Sequence, residues 1–151
     1  MCNNTKTAMK KKINCILLVD DNESDNFIHK RILEKSGIAN HIEIAMNGQE
    51  AINFLRTKGK FGDQEGCYCQ PELIFLDINM PVMDGWEFLE EYHKLEDVQK
   101  GKIVFIMLTT SLNPADKNKA DTMINDACFQ FKPLSLEMID EILQKHFPKS
   151  I

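Results

Sequence analysis

Asp77 follows Leu73-Ile74-Phe75-Leu76, an apolar run long enough for one buried strand. A carboxylate at the end of such a strand is costly unless something pairs with it. Past Asp77 the chain reads INMPVMDG, where Pro81 forbids a continued ladder and Asp84-Gly85 is a turn pair. Three other apolar runs end in residues able to do chemistry. Ile13–Val19 ends in Asp20-Asp21, residues 103–108 end in Thr109, and Cys128–Phe131 ends in Lys132-Pro133.

If these strands are parallel, all four ends lie on one edge of the sheet. Asp20, Asp21 and Asp77 then converge, and close carboxylates cannot all stay ionised without compensation. A divalent cation is the natural remedy, and an all-oxygen ligand set selects magnesium, manganese or calcium over softer metals. Three carboxylates, one such cation and Lys132 make a neutral site, ready for an anion. A phosphoryl group fits best. Asp77 can attack phosphorus to give an aspartyl phosphate. The cation and Lys132 would neutralise the transferring oxygens, and the Thr109 hydroxyl would donate to another. Phosphoryl transfer asks for little beyond such positioning and electrostatics.

The elements that must position these residues can be read from periodicity. Ile13–Val19 is nearly all apolar, as expected of a strand buried on both faces. Asn22, Glu23 and Ser24 offer helix caps; Ile28, Ile32 and Leu33 give an apolar helical face, and Gly37 is the stop. Residues 41–45 alternate as a short strand with Ile42 and Ile44 on one face, and Asn47-Gly48 turns into a helix carrying Ala51, Ile52 and Leu55. Residues 58–70 read as a long surface loop. After the Asp77 strand, a helix from Trp86 turns Leu89 and Tyr92 inward. Asn113-Pro114 starts a fourth helix, and Ser135 caps a fifth with Leu136, Ile139, Ile142 and Leu143 on one stripe. Strand–helix repeated five times means an α/β fold with a parallel sheet covered on both faces.

Composition narrows the function classes. A chain of 151 residues fits one domain and buries a real core. Its net charge of −5 argues against nonspecific binding to nucleic acid or anionic lipid, and no apolar run has membrane-spanning length. Residues 1–12 read as a flexible N-terminal tail, 13–147 as the folded domain and 148–151 as a C-terminal tail. The five cysteines form no framework, so five reduced thiols in a cytoplasmic protein are expected, with Cys15 and Cys128 as small core residues. Cys67 and Cys69 have the wrong spacing for the common zinc pairs. The four histidines are scattered, and surface roles are expected for them.

Asp20-Asp21, Asp77 with MPVMDG, Thr109 and Lys132-Pro133, in that order at successive strand ends, resemble the receiver domains of two-component response regulators. Each piece alone is weak, since an acid pair before a helix also reads as a cap; the ordered set is specific. The resemblance spans residues 13 to 147. It implies a flavodoxin-like, doubly wound sheet with strand order 2-1-3-4-5. It implies a single-domain, stand-alone response regulator, a phosphoacceptor rather than an enzyme in its own right. Asp77 would take a phosphoryl group from a histidine kinase or a phosphotransfer protein in a phosphorelay. Mg²⁺ (or Mn²⁺) would be held by Asp21, Asp77 and the main-chain carbonyl of Asn79, with Asp20 acting through water. Lys132-Pro133 would be a cis peptide. Phe129 occupies the aromatic switch position without a tyrosine hydroxyl, and Thr110 is larger than the alanine often found after the strand-end hydroxyl. Output would be contact with a protein target on the face of the fourth helix, fifth strand and fifth helix, with no direct nucleic-acid or membrane contact. The alternative is an aspartate-nucleophile phosphatase of haloacid dehalogenase type. Such enzymes place a second aspartate two residues after the nucleophile, where this chain has Asn79. A flavin carrier on the same fold needs a hydroxyl- and glycine-rich phosphate loop after the first strand, where this chain has Asp-Asp-Asn-Glu.

Overall fold

The computed structural model describes residues 13–56, 71–78, 80, 83–95, 103–110, 115, 118, 119, 122 and 128–147. In chain order these give β1 (Ile13–Val19), α1 (Glu23–Ser36), β2 (Ala39–Ala45), α2 (Gly48–Arg56), β3 (Leu73–Asp77), α3 (Gly85–His93), β4 (Val104–Thr109), β5 (Cys128–Phe131) and α4 (Leu136–His146). Of the helix expected from Asn113-Pro114, Ala115, Asn118, Lys119 and Thr122 are helical and the rest lies outside the described residues. The expected tails at 1–12 and 148–151 and the loop at 58–70 also lie outside them.

All five strands are parallel, in the order β2-β1-β3-β4-β5. Alternation along each strand feeds two apolar layers. Leu17, Val19, Ile74, Leu76, Phe105 and Met107 pack with α2 and α3. Ile16, Leu18, Leu73, Phe75, Ile106 and Leu108 pack with Leu33 of α1 and with Ile139, Ile142 and Leu143 of α4. The sheet is therefore covered on both faces, as the unbroken apolar runs of β1 and β3 require.

Local chemistry fixes the helix ends. Asn22 caps α1 by accepting from the Asp25 N–H, and Gly37 ends it at φ 71° with its N–H on the Leu33 and Glu34 carbonyls. Asp84 and Glu87 form a reciprocal capping box on α3, and Ser135 caps α4.

Several positions depart from expectation. Ile28 faces solvent, and α1 instead buries Asn26, His29 and Leu33. Ile44 on the edge strand and Leu136 at the start of α4 are exposed. Phe88 is fully buried, with its ring 6.2 Å from that of Phe105 and 6.4 Å from that of Tyr92. Cys15 is disulfide-bonded rather than a free thiol; its partner lies outside the described residues, as do Cys67 and Cys69. Cys128 is free. His29 is 1% exposed, not a surface histidine.

Phe88→Ala should leave a cavity between α3 and β4. We expect a loss of about 3–5 kcal/mol, read as a lower urea midpoint at unchanged slope.

Candidate functional site

Strand order places the site. The chain leaves β1 toward β2 on one side and reaches β3 on the other, so a crevice opens where β1 and β3 lie side by side. Val19 pairs with Leu76, so Asp20, the next residue of its strand, stands level with Asp77. Asp77 pairs with Leu108, which puts Thr109 one step further along β4. Thr109 pairs with Phe131, and the Lys132 N–H donates to the Thr109 carbonyl at 2.9 Å. Each strand thus delivers its terminal polar residue to the same edge.

Asp20, Asp21 and Asp77 each bring a carboxylate oxygen to within 4.8 Å of the others. Asp20, Asp77 and Thr109 are buried, and Asp21 is exposed. The Lys132 side chain is only 10% exposed, with its Nζ 2.8 Å from Asp20 Oδ2, 3.0 Å from Asp25 Oδ2 and 3.6 Å from Asp77 Oδ2. Burial opposes the charge on this ammonium, but its bonds to Asp20 and Asp25 and its attraction to Asp77 outweigh burial and hold its pKa above the ordinary lysine value. The Lys132–Pro133 peptide is cis.

Backbone contacts lock the acids in place. The Asp20 N–H donates to the Ala45 carbonyl at 3.1 Å, and its Oδ1 accepts from the Asn22 N–H at 3.0 Å. Asn26 Nδ2 donates to the Asp20 carbonyl at 2.8 Å. Beyond β3, the Gly85 N–H donates to the Ile78 carbonyl at 2.9 Å. A Cβ at Gly85 would lie 2.9 Å from the Asp77 carbonyl oxygen, so this close approach needs glycine.

Asp20, Asp21, Asp77, Thr109 and Lys132 are therefore gathered at one strand edge. Asn79, expected to offer its carbonyl, lies outside the described residues. Phe129 is half-buried against the layer under α2 and α3, three residues before Lys132. Sequence reasoning missed Asp25, Asn26 and His29. Their signal was spacing: His29 follows the adjacent Asp25 and Asn26 by one helical turn, next to the acid pair, while Phe27 and Ile28 between them stand 63% and 46% exposed. Near the acid pair, α1 turns Asn26 and His29 inward and Phe27 and Ile28 outward. Burial pushes the His29 pKa down, with the Lys132 charge acting the same way and Asp25 and Asp20 opposing.

The donor set is oxygen throughout, and three carboxylates around one point suit a hard divalent cation such as Mg²⁺ or Mn²⁺. A softer metal would ask for the sulfur or imidazole ligands that this cluster lacks.

A doubly wound parallel sheet with an acid triad and a lysine at its switch point defines a class of α/β domains that carry a polar site at the strand edge. The profile of the response regulator receiver domain matches residues 16–144, and the chain belongs to that family of signalling domains. Response regulator Rcp1 of Synechocystis is 31% identical over 129 residues, spanning 85% of this chain and 83% of that protein. The solved two-component response regulator of Cytophaga hutchinsonii superposes with a TM-score of 0.74 at 27% identity, over 91% of this chain and 99% of that one. The Mn²⁺-bound form of response regulator Rcp1 superposes at 0.66 with 29% identity, over 87% of this chain and 92% of that one. No helix among the described residues is long and apolar enough to cross a membrane.

Asp21→Asn should weaken Mg²⁺ binding at least about tenfold while leaving the fold intact. Calorimetric titration checks it; unchanged affinity would reduce the acid pair to a helix cap. With one repelling charge gone, the metal-free variant should also melt no lower than wild type.

Proposed function

We propose that this chain is a response regulator receiver that accepts a phosphoryl group on Asp77 from a histidine kinase or a histidine phosphotransfer protein, and that it signals by a phosphorylation-dependent contact with another protein. The observation that carries this reading is the Lys132 ammonium, 2.8 Å from Asp20 and 3.6 Å from Asp77, beside three carboxylates at one strand edge. Family membership supports it.

The ligands for Mg²⁺ or Mn²⁺ would be Asp21, Asp77 and the main-chain carbonyl of Asn79, with Asp20 acting through water. When bound, the cation supplies charge neutralisation on the phosphoryl oxygens. The chain's own residues do the rest. A carboxylate oxygen of Asp77 forms the new bond to phosphorus as the donor's P–N bond breaks, and the electron pair leaves on the imidazole nitrogen. Lys132 stabilises the negative oxygens, and the Thr109 hydroxyl donates to another. Burial of Asp77, Asp20 and Thr109 strengthens these interactions by excluding water. Phosphorylation is thereby the chain's own reaction on itself, in a cytoplasmic setting where kinases and their phosphodonors meet it. The receiver domain is taken as residues 13–147.

The switch follows from charge. An aspartyl phosphate is more negative than the carboxylate it replaces and needs a further donor. Drawing Thr109 toward it opens space beside β5, into which half-buried Phe129 moves. The face of the helix expected after Asn113-Pro114, β5 and α4 changes shape; Phe131, 56% exposed on β5, supplies apolar surface for a partner there. The shift is only as large as the phosphoryl group's preference for one state over the other.

Acetyl phosphate with Mg²⁺ should place one phosphoryl group on the wild-type chain and none on Asp77→Asn, read by intact mass spectrometry. Turnover of a generic phosphate ester without a stable adduct would instead favour a hydrolase. Thr109→Ala should still be phosphorylated, yet its amide spectrum over residues 110–133 should respond far less than that of wild type. An equally wide response would sink the coupling scheme.

A further inference from the structure

Asp25 adds a fourth carboxylate to a site that three carboxylates, a divalent cation and Lys132 would leave neutral. Its Oδ2 lies 3.0 Å from Lys132 Nζ, closer than Asp77 at 3.6 Å. An ammonium has three protons to give. One goes to Asp25 as a hydrogen bond, Asp20 Oδ2 lies at ion-pair distance, and the contact to Asp77 is longer still. At rest, Lys132 leans toward α1 and away from the residue that reacts.

We propose that Asp25 is a positioning residue that competes with the incoming phosphoryl group for Lys132 and so sets how readily Asp77 can be charged. The inference rests on the reading of Asp77 as phosphoacceptor. Three observations support it. First, Asp25 sits on a rigid support, its N–H held by the Asn22 side chain at 2.9 Å in the capped first turn of α1. Second, the two competitors differ in how easily they release the lysine. The Asp20 side chain is 4% exposed, so losing Lys132 would strand a buried charge. The Asp25 side chain is 32% exposed, so water can replace the lysine there. Third, the imidazole one turn along the helix, His29, is 1% exposed, and burial favours its neutral form. When a phosphoryl group arrives, Lys132 swings from Asp25 to the new oxygens, and Asp25 turns to solvent. Transfer thus includes the cost of breaking one ion pair.

The test uses the full chain with saturating Mg²⁺ and beryllium trifluoride, a phosphoryl mimic that binds aspartate, followed by calorimetry. Asp25→Asn keeps the size and removes the charge; it should bind the mimic roughly tenfold more tightly than wild type. Its affinity for Mg²⁺ alone should stay equal or fall, because a negative charge near the cation is gone. Asp25→Glu, which keeps the charge, should return toward wild type, and Asp25→Ser should follow Asp25→Asn. A merely structural role for Asp25 would weaken both ligands together. If Asp25→Asn and Asp25→Ser bind the mimic no better than wild type, the competition is overturned while the phosphoacceptor reading stands. If wild type itself neither binds the mimic nor takes a phosphoryl group from acetyl phosphate, the reading of Asp77 fails and this inference with it.

Discussion

Lys132 carries a single positive charge into a pocket of carboxylates, and the rest of the site depends on it. Its side chain is almost sealed from solvent and bridges Asp20, Asp25 and, at longer range, Asp77. Burying an ammonium costs several kcal/mol unless acids surround it; burying the acids costs the same unless a cation does. Each side of the cluster is tolerable only because of the other. Such an arrangement is a poor source of stability compared with an apolar filling of equal volume. What it provides instead is a strong local field at the strand edge.

The sheet makes that field possible. Parallel strands send all their carboxyl ends to one edge, and the order β2-β1-β3-β4-β5 opens the crevice between β1 and β3. Two apolar layers pack those strands from both sides. Small devices refine the placement. The Asn26 amide grips the Asp20 carbonyl, and the missing Cβ of Gly85 lets α3 begin against the backbone of Asp77 and Ile78. These contacts fix backbone as well as side chains, which is what a site built on electrostatics needs.

Much of this was legible in the sequence, for physical reasons. β1 and β5 were readable to the residue because their apolar runs stop abruptly at charged residues. The capped helices were readable from Asn22 and Ser135, and Gly37 marked a stop, whereas Asp84, read as half of a turn pair, is the cap of α3. What escaped was the content of α1. A helix beside a buried charged pocket does not obey the usual rule of apolar residues inward. Its inner face must satisfy the pocket, so Asn26 and His29 went in while Phe27 and Ile28 went out. Asp25 was invisible because nothing local links it to Lys132. Cys15 escaped for a different reason: an odd cysteine count describes composition, and pairing is a matter of distance.

The pair between Lys132 and Asp25 spans 107 positions of sequence. β2, β3, β4 and β5 all lie between the two residues in the chain, so the pair needs the whole sheet in place. Until β5 docks, the acids at the ends of β1 and β3 repel one another with no lysine between them. The growing sheet is then opposed at the very edge where the site will lie. Only a chain folded through its fifth strand brings the compensating charge. The same ammonium that balances the acids thus also acts as an inspector of assembly. A chain halted before β5 holds the acids without their lysine, and it is poorly suited both to fold and to signal.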